Sequence, residues 1–166
     1  MPSPTKIGIV GFSRNAFDKQ KAYELMDQEF AKLAAKYPDP ATVEIVSGYT
    51  KTGVPEIAYT LAGKYGFRKV GFSARQALKV KSGLCGVDKE IIVGERFGDE
   101  SQAFVEYING LIRIGGGAQS RKEVALFKKQ YAHLPYTGFL GNMRSTGTVN
   151  PLLKKDRYER PPKGLL

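Results

Sequence analysis

The sequence predicts an α/β domain in three layers, doubly wound around a mainly parallel sheet. Short apolar runs at residues 6–11 (KIGIVG), 42–47 (TVEIVS) and 68–73 (RKVGFS) alternate with amphipathic segments, the pattern of strands joined by helical crossovers. The first run is continuous enough to be buried on both faces, as parallel strands are. Glycines gather where the runs end, most densely in residues 110–123 (GLIRIGGGAQSRKE). There Leu111, Ile112 and Ile114 stop at three glycines, and a helix is expected from Arg121 to Tyr131. Strand, tight turn and helix form a cradle for an anion: glycines let the backbone approach closely, and the helix start supplies free N–H groups and the positive dipole end. Glycines that merely turn the chain are the competing reading.

In chain order, residues 12–15 (FSRN) form a polar turn after the first strand. Ser13 and Arg14 would stand at its carboxyl end, where open α/β sheets bind ligands, although Ser13 or Asn15 equally suits a helix cap and Arg14 a solvated position. Tyr23, Leu25, Met26, Phe30, Leu33 and Ala34 recur at helical spacing over residues 16–37, and Pro38 and Pro40 end the helix. After the second strand, Gly48 and Gly53 bracket a turn holding Thr50, Lys51 and Thr52, with Pro55 and Glu56 in the first turn of a helix to about Lys64. The turn offers hydroxyl and ammonium donors to an anion. Residues 74–87 read as a helix followed by a loop. A further strand at residues 90–93 leads into a charged loop, residues 94–101, and a helix at residues 102–107. Glu95, Arg96, Asp99 and Glu100 read as an acid and base set beside a pocket, or as a solvated loop whose Asp99 or Ser101 caps the helix. A last strand is expected at residues 136–140. Residues 1–150 are read as one domain, and residues 151–166, basic and carrying Pro161 and Pro162, as a C-terminal tail that is either disordered or packed on a partner subunit.

Composition narrows the function classes. The chain has 166 residues and a single cysteine, so it builds its core without an internal disulfide and suits a reducing, cytoplasmic setting. It carries no run of about 18 apolar residues and no apolar signal region, so a membrane partner is not expected. No cofactor and no metal site is expected. The formal charge of +10 favours anionic partners. The basic residues form no block interleaved with aromatics, which disfavours nucleic acid and leaves a nucleotide or phosphorylated nucleoside as the expected ligand.

Taken together, GIVGFSRN, VSGYTKTGVPEIAYTLA and GLIRIGGGAQSRKE resemble the nucleotide-binding Rossmann-like superfamily called SLOG, over residues 6–130. Its members include the cytokinin-activating phosphoribohydrolases once labelled lysine decarboxylases. The phosphoribohydrolase motif PGGxGTxxE is matched with Gly115 for Pro, Gly116 and Gly117 kept, Gln119 for Gly, Ser120 for Thr, and Glu123 kept. The resemblance implies that Gly116, Gly117 and Ser120 hold a phosphate, with Gly115 and Gln119 beside them, and that Glu123 acts where an N-glycosidic bond breaks. Ser13, Arg14, Gly48, Thr50 and Gly53 would complete the ligand site, and self-association into a homo-oligomer is implied. The chain departs from the hydrolases at their Arg-Lys pair, which falls here on Glu100 and Ser101. Binding or sensing is therefore the first reading. Hydrolysis of nucleoside monophosphates by Glu123, assisted by Arg96 or Glu100, is the second, and handling of nucleic acid the third.

Overall fold

The computed structural model describes residues 3–14, 16–140 and 154–155. Six parallel strands, β1 (Thr5–Gly11), β2 (Val43–Ser47), β3 (Arg68–Ser73), β4 (Lys89–Ile92), β5 (Gly110–Ile114) and β6 (Tyr136–Leu140), form one sheet in the order β4-β3-β2-β1-β5-β6. The two-residue β7 (Lys154–Lys155) adds an antiparallel edge to β6. Every residue of β2 and β5 is buried, as befits central strands covered on both faces, whereas β4 at the edge has no buried residue.

Helices α1 (Lys19–Lys36) and α2 (Gly53–Tyr65) cover one face, α3 (Ser101–Tyr107) and α4 (Ala118–Gln130) the other, so the expected three-layer, doubly wound architecture is present. Two cores result. Met26, Phe30, Ala58 and Leu61 pack with Ile7, Ile9, Ile45 and Ile114, while Phe104, Val105, Val124 and Phe127 pack with Val10, Val46, Val70 and Leu111. Alternate residues of β1, β2 and β5 thus feed opposite cores. The chain leaves β1 toward β2 in one direction and reaches β6 from β5 in the other, so the order reverses between β1 and β5, where open α/β sheets open a crevice at the carboxyl ends of their strands.

Several local expectations are corrected. Helix α1 begins at Lys19 rather than near residue 16, because Phe17 is buried and stacked on Phe12 (centroids 4.9 Å apart), which keeps the chain out of the helix until Asp18. Asp18 is the cap, its Oδ1 accepting from the Lys21 N–H at 3.0 Å; Ser13 does not cap this helix, and Asn15 lies outside the described residues. Helix α4 starts three residues before Arg121, because Gly117 ends the turn directly into it. Residues 74–87 contain a 3-10 turn (Arg75–Lys79) and then a strap, in which Gly83 O accepts from Lys51 N–H and Cys85 N–H donates to Tyr49 O, each at 2.9 Å. Asp99 does not cap α3; its Oδ2 accepts the N–H groups of Glu95 and Arg96 at 3.0 Å and closes the preceding loop. Ser101 is the first residue of α3 rather than its cap. The boundary expected at residue 150 and most of the basic tail lie outside the described residues.

Candidate functional site

Where β1, β2 and β5 end, a cleft of about 190 Å³ opens between the first turn of α4, the ends of β1 and β2, and the loop before α3. Its construction follows from close backbone approaches that only glycine permits. Gly116 has φ 95°, in the left-handed region, and a Cβ on it would collide with the Ser120 hydroxyl. Gly53, with φ 65°, would drive a Cβ into the Phe12 carbonyl, which accepts the Val54 N–H at 2.7 Å. Phe12 in turn donates its N–H to Ile114 O at 3.2 Å, so the β1 end, the α2 start and the β5 turn meet at one residue.

Gly117 differs from its neighbours. It lines the cleft, precedes α4 and would place a Cβ in open space. The helix start is thus presented bare to the cleft, and the first turn of α4 holds no acidic residue to occupy its dipole. Ser120, one turn in, lines the cleft and donates its hydroxyl to Gly11 O at 3.3 Å.

Beside this turn sits a pair of buried carboxylates. Glu123 Oε2 accepts from the Ser101 hydroxyl at 3.0 Å and from the Gln119 amide at 3.3 Å; the same amide reaches Glu100 Oε2 at 3.3 Å, and Glu100 Oε1 accepts the Gly98 N–H at 2.7 Å. Glu100 and Glu123 are 4% and 6% exposed, so both acids have left bulk water. Burial pushes the Glu123 carboxyl up to about 7, with the neighbouring Glu100 charge adding to the rise and the Ser101 and Gln119 hydrogen bonds opposing it. A proton can be held or released there near neutrality. Glu100 and Ser101, where the hydrolase motif carries Arg-Lys, do face Glu123 through Gln119 and the serine hydroxyl, so among the described residues its hydrogen-bond partners are neutral, with the Glu100 carboxylate on the same amide.

Of the residues singled out from sequence, Ser13, Gly48, Thr50, Gly117, Gln119, Ser120, Glu100 and Glu123 line one cleft. Gly53, Gly115 and Gly116 shape its walls from behind. Arg14 and Arg96 are exposed and outside the lining, and among the described residues no Lys, Arg or His lines the cleft. Cys85 is buried and also outside it, its thiol pushed up to about 11 by burial.

Sequence reasoning passed over four contributors. Arg113, buried on β5, donates Nε–H to Gly115 O at 2.8 Å and steadies the glycine turn. Ser47 donates its hydroxyl to Ile9 O at 2.7 Å, and Ser73 Oγ accepts the Tyr49 N–H at 2.9 Å, fixing the strand ends. Phe97 stands at the rim with 43% of its surface exposed. A serine ending a strand run was a usable signal; a lone Phe in a charged loop was not.

Fold and cleft together define a Rossmann-like α/β module with a glycine-turned helix start at the strand-order switch. No protein-family model matches the chain, and no curated protein matches it. Solved structures do. The molybdenum cofactor binding protein from the phototrophic bacterium Rippkaea orientalis superposes with a TM-score of 0.61 at 23% identity, over 86% of this chain and 79% of that one. TM1055 gives 0.60 at 17% identity, covering 80% and 72%, and the molybdenum cofactor carrier protein from Chlamydomonas reinhardtii gives 0.54 at 23%, covering 80% and 74%. These likenesses, all below 25% identity, establish the shared fold. Among the described residues, no helix is long and apolar enough to cross a membrane.

Proposed function

We propose that this chain binds a phosphorylated small molecule carrying a heterocycle, a nucleotide or phosphorylated nucleoside, as a binding or sensing module. The observation that carries the reading is the bare α4 start: Gly117 opens to the cleft, with the Ser120 hydroxyl one turn in. Free N–H groups and the dipole attract a phosphate there, and Gly48 and Thr50 approach from the second turn. Two of the similar folds are described as binding or carrying the molybdenum cofactor, which adds pterin phosphates to the ligands worth testing. A thermal-shift panel of nucleoside monophosphates and a pterin monophosphate tests the reading. A ligand at about a hundred times its Kd should stabilise the fold by about 2.7 kcal/mol, a rise of about 5–10 °C in Tm. If no member of the panel raises Tm, the reading fails.

A second reading, hydrolysis of the N-glycosidic bond in a nucleoside monophosphate, draws on Glu123. A carboxyl pushed up to about 7 still holds its proton in mildly acid solution and suits donation to a leaving base, while Glu100 orients water. Against it stands the lining among the described residues, which holds no cation. Release of free base from any monophosphate, falling as pH rises through about 7 and abolished by Glu123→Gln, supports hydrolysis. No base released, with stabilisation by the same compound, leaves binding alone.

A further inference from the structure

We propose that Phe97 is the stacking platform for the ligand's ring, making the loop between β4 and α3 the specificity element of the cleft. This rests on the binding reading above. Phe97 is 43% exposed and lines the cleft, so its ring face is accessible from the space a ligand would fill. The loop is also built to hold it. Every N–H from Glu95 to Asp99 has an acceptor within the chain: Glu95 and Arg96 donate to Asp99 Oδ2, Phe97 to Gln76 Oε1 at 3.0 Å, Gly98 to Glu100 Oε1 at 2.7 Å, and Asp99 to Arg96 O at 3.0 Å. A mobile surface loop would leave such donors to water.

The Gly98 bond ties Phe97's neighbour to a carboxylate that also lines the cleft, so the platform and the acidic wall are set as one unit. Below them lie Phe104 and Phe72, each 4% exposed and packed edge to face with centroids 5.7 Å apart. The lining of the cleft therefore combines three aromatic rings, Phe72, Phe97 and Phe104, with a phosphate-suited helix start. On this proposal the ligand's planar ring rests on Phe97 and its phosphate at Gly117, both of which line the cleft.

The test compares ligands that share the phosphate and differ in the ring. Adenosine, guanosine and pterin monophosphates, with ribose 5-phosphate as the ringless control, are titrated calorimetrically into wild type, Phe97→Ala and Phe97→Tyr, with Tm recorded for each. Stacking on one aromatic is worth about tenfold to a hundredfold in affinity, so Phe97→Ala should weaken the ring-bearing ligand by that factor, leave ribose 5-phosphate unchanged, and be rescued by Phe97→Tyr. Equal losses for both ligand types, or no loss at all with Tm unchanged, would overturn the proposal. Wild type that binds ribose 5-phosphate and none of the ring-bearing compounds overturns the platform while sparing the phosphate site. Wild type that binds nothing in the panel brings down the binding reading itself.

Discussion

At the scale of single residues, the glycine turn separates folding from binding. Gly116→Ala places a methyl against Ser120 at a left-handed φ, so it should cost about 1–3 kcal/mol in denaturant unfolding and weaken any cleft ligand. Gly117→Ala, whose methyl meets nothing in the fold, should leave the unfolding midpoint within about 0.5 kcal/mol while projecting into the cleft and lowering affinity. Ligand binding unimpaired in Gly117→Ala would show that the α4 start is not the contact. Glu123 makes a second, pH-dependent separation. Its carboxyl ionises around the ordinary 4.5 in the unfolded chain and at about 7 in the fold, so between those values the folded state holds a proton the unfolded state has released. Stability therefore falls as pH rises from about 4.5 to about 7 and stays lowered above, by an amount on the order of 3 kcal/mol. Glu123→Gln keeps an acceptor for Ser101 and should flatten that slope, making the variant the more stable protein at pH 8. An unchanged slope in urea titrations across this range would refute the assignment.

At the scale of elements, a buried hydroxyl adds a polar tie between α2 and the sheet to their apolar packing. Tyr59 Oη accepts the Ser47 N–H at 3.1 Å and lies 2.7 Å from Ser47 O and 2.8 Å from Val70 O, to which it donates. Tyr59→Phe leaves the buried Ser47 N–H without this acceptor, for an expected loss of about 1–3 kcal/mol measured by chemical denaturation, with the β2 end and its glycine turn loosened. The same scale explains what was readable in advance. Strands β1, β2, β3 and β5 were legible to within a residue or so because a doubly buried strand has to be an apolar run, and α4 was misplaced by three residues only because Gly117, a turn residue, is also its start. Residues 74–87 were opaque because their partners are remote: the strap is defined by Tyr49 and Lys51, which no local pattern reveals. The site divides in the same way. Gly115, Gly116, Gly117, Ser120 and Glu123 lie in one contiguous motif, whereas Phe97, Ser47 and Ser73 join the cleft only through the winding of the sheet.

At the scale of the molecule, a formal charge of +10 surrounds a cleft whose described lining has no basic side chain. Two sources of attraction for an anion are therefore distinguishable. Raising ionic strength from about 0.1 M to about 1 M shortens the Debye length from ~10 Å to ~3 Å. If the helix start does the binding, the affinity of a nucleoside monophosphate should fall by less than about tenfold over that interval, since its contacts are local and partly buried. A steeper fall in a calorimetric titration would assign the attraction to the surface charge.

Phe12 gives the whole-molecule scale a temporal side. It joins the β1 end to Val54 and to Ile114, so the junction unites segments about a hundred residues apart. Contacts of such separation form late, after loop closure has been paid for. During synthesis the first strand, the first helix and the second glycine turn emerge well before the β5 turn that completes the junction. A ribosome-bound chain halted before residue 114 therefore lacks the corner against which the cleft is built, and ligand capture by nascent chains of increasing length should begin only once α4 has left the exit tunnel.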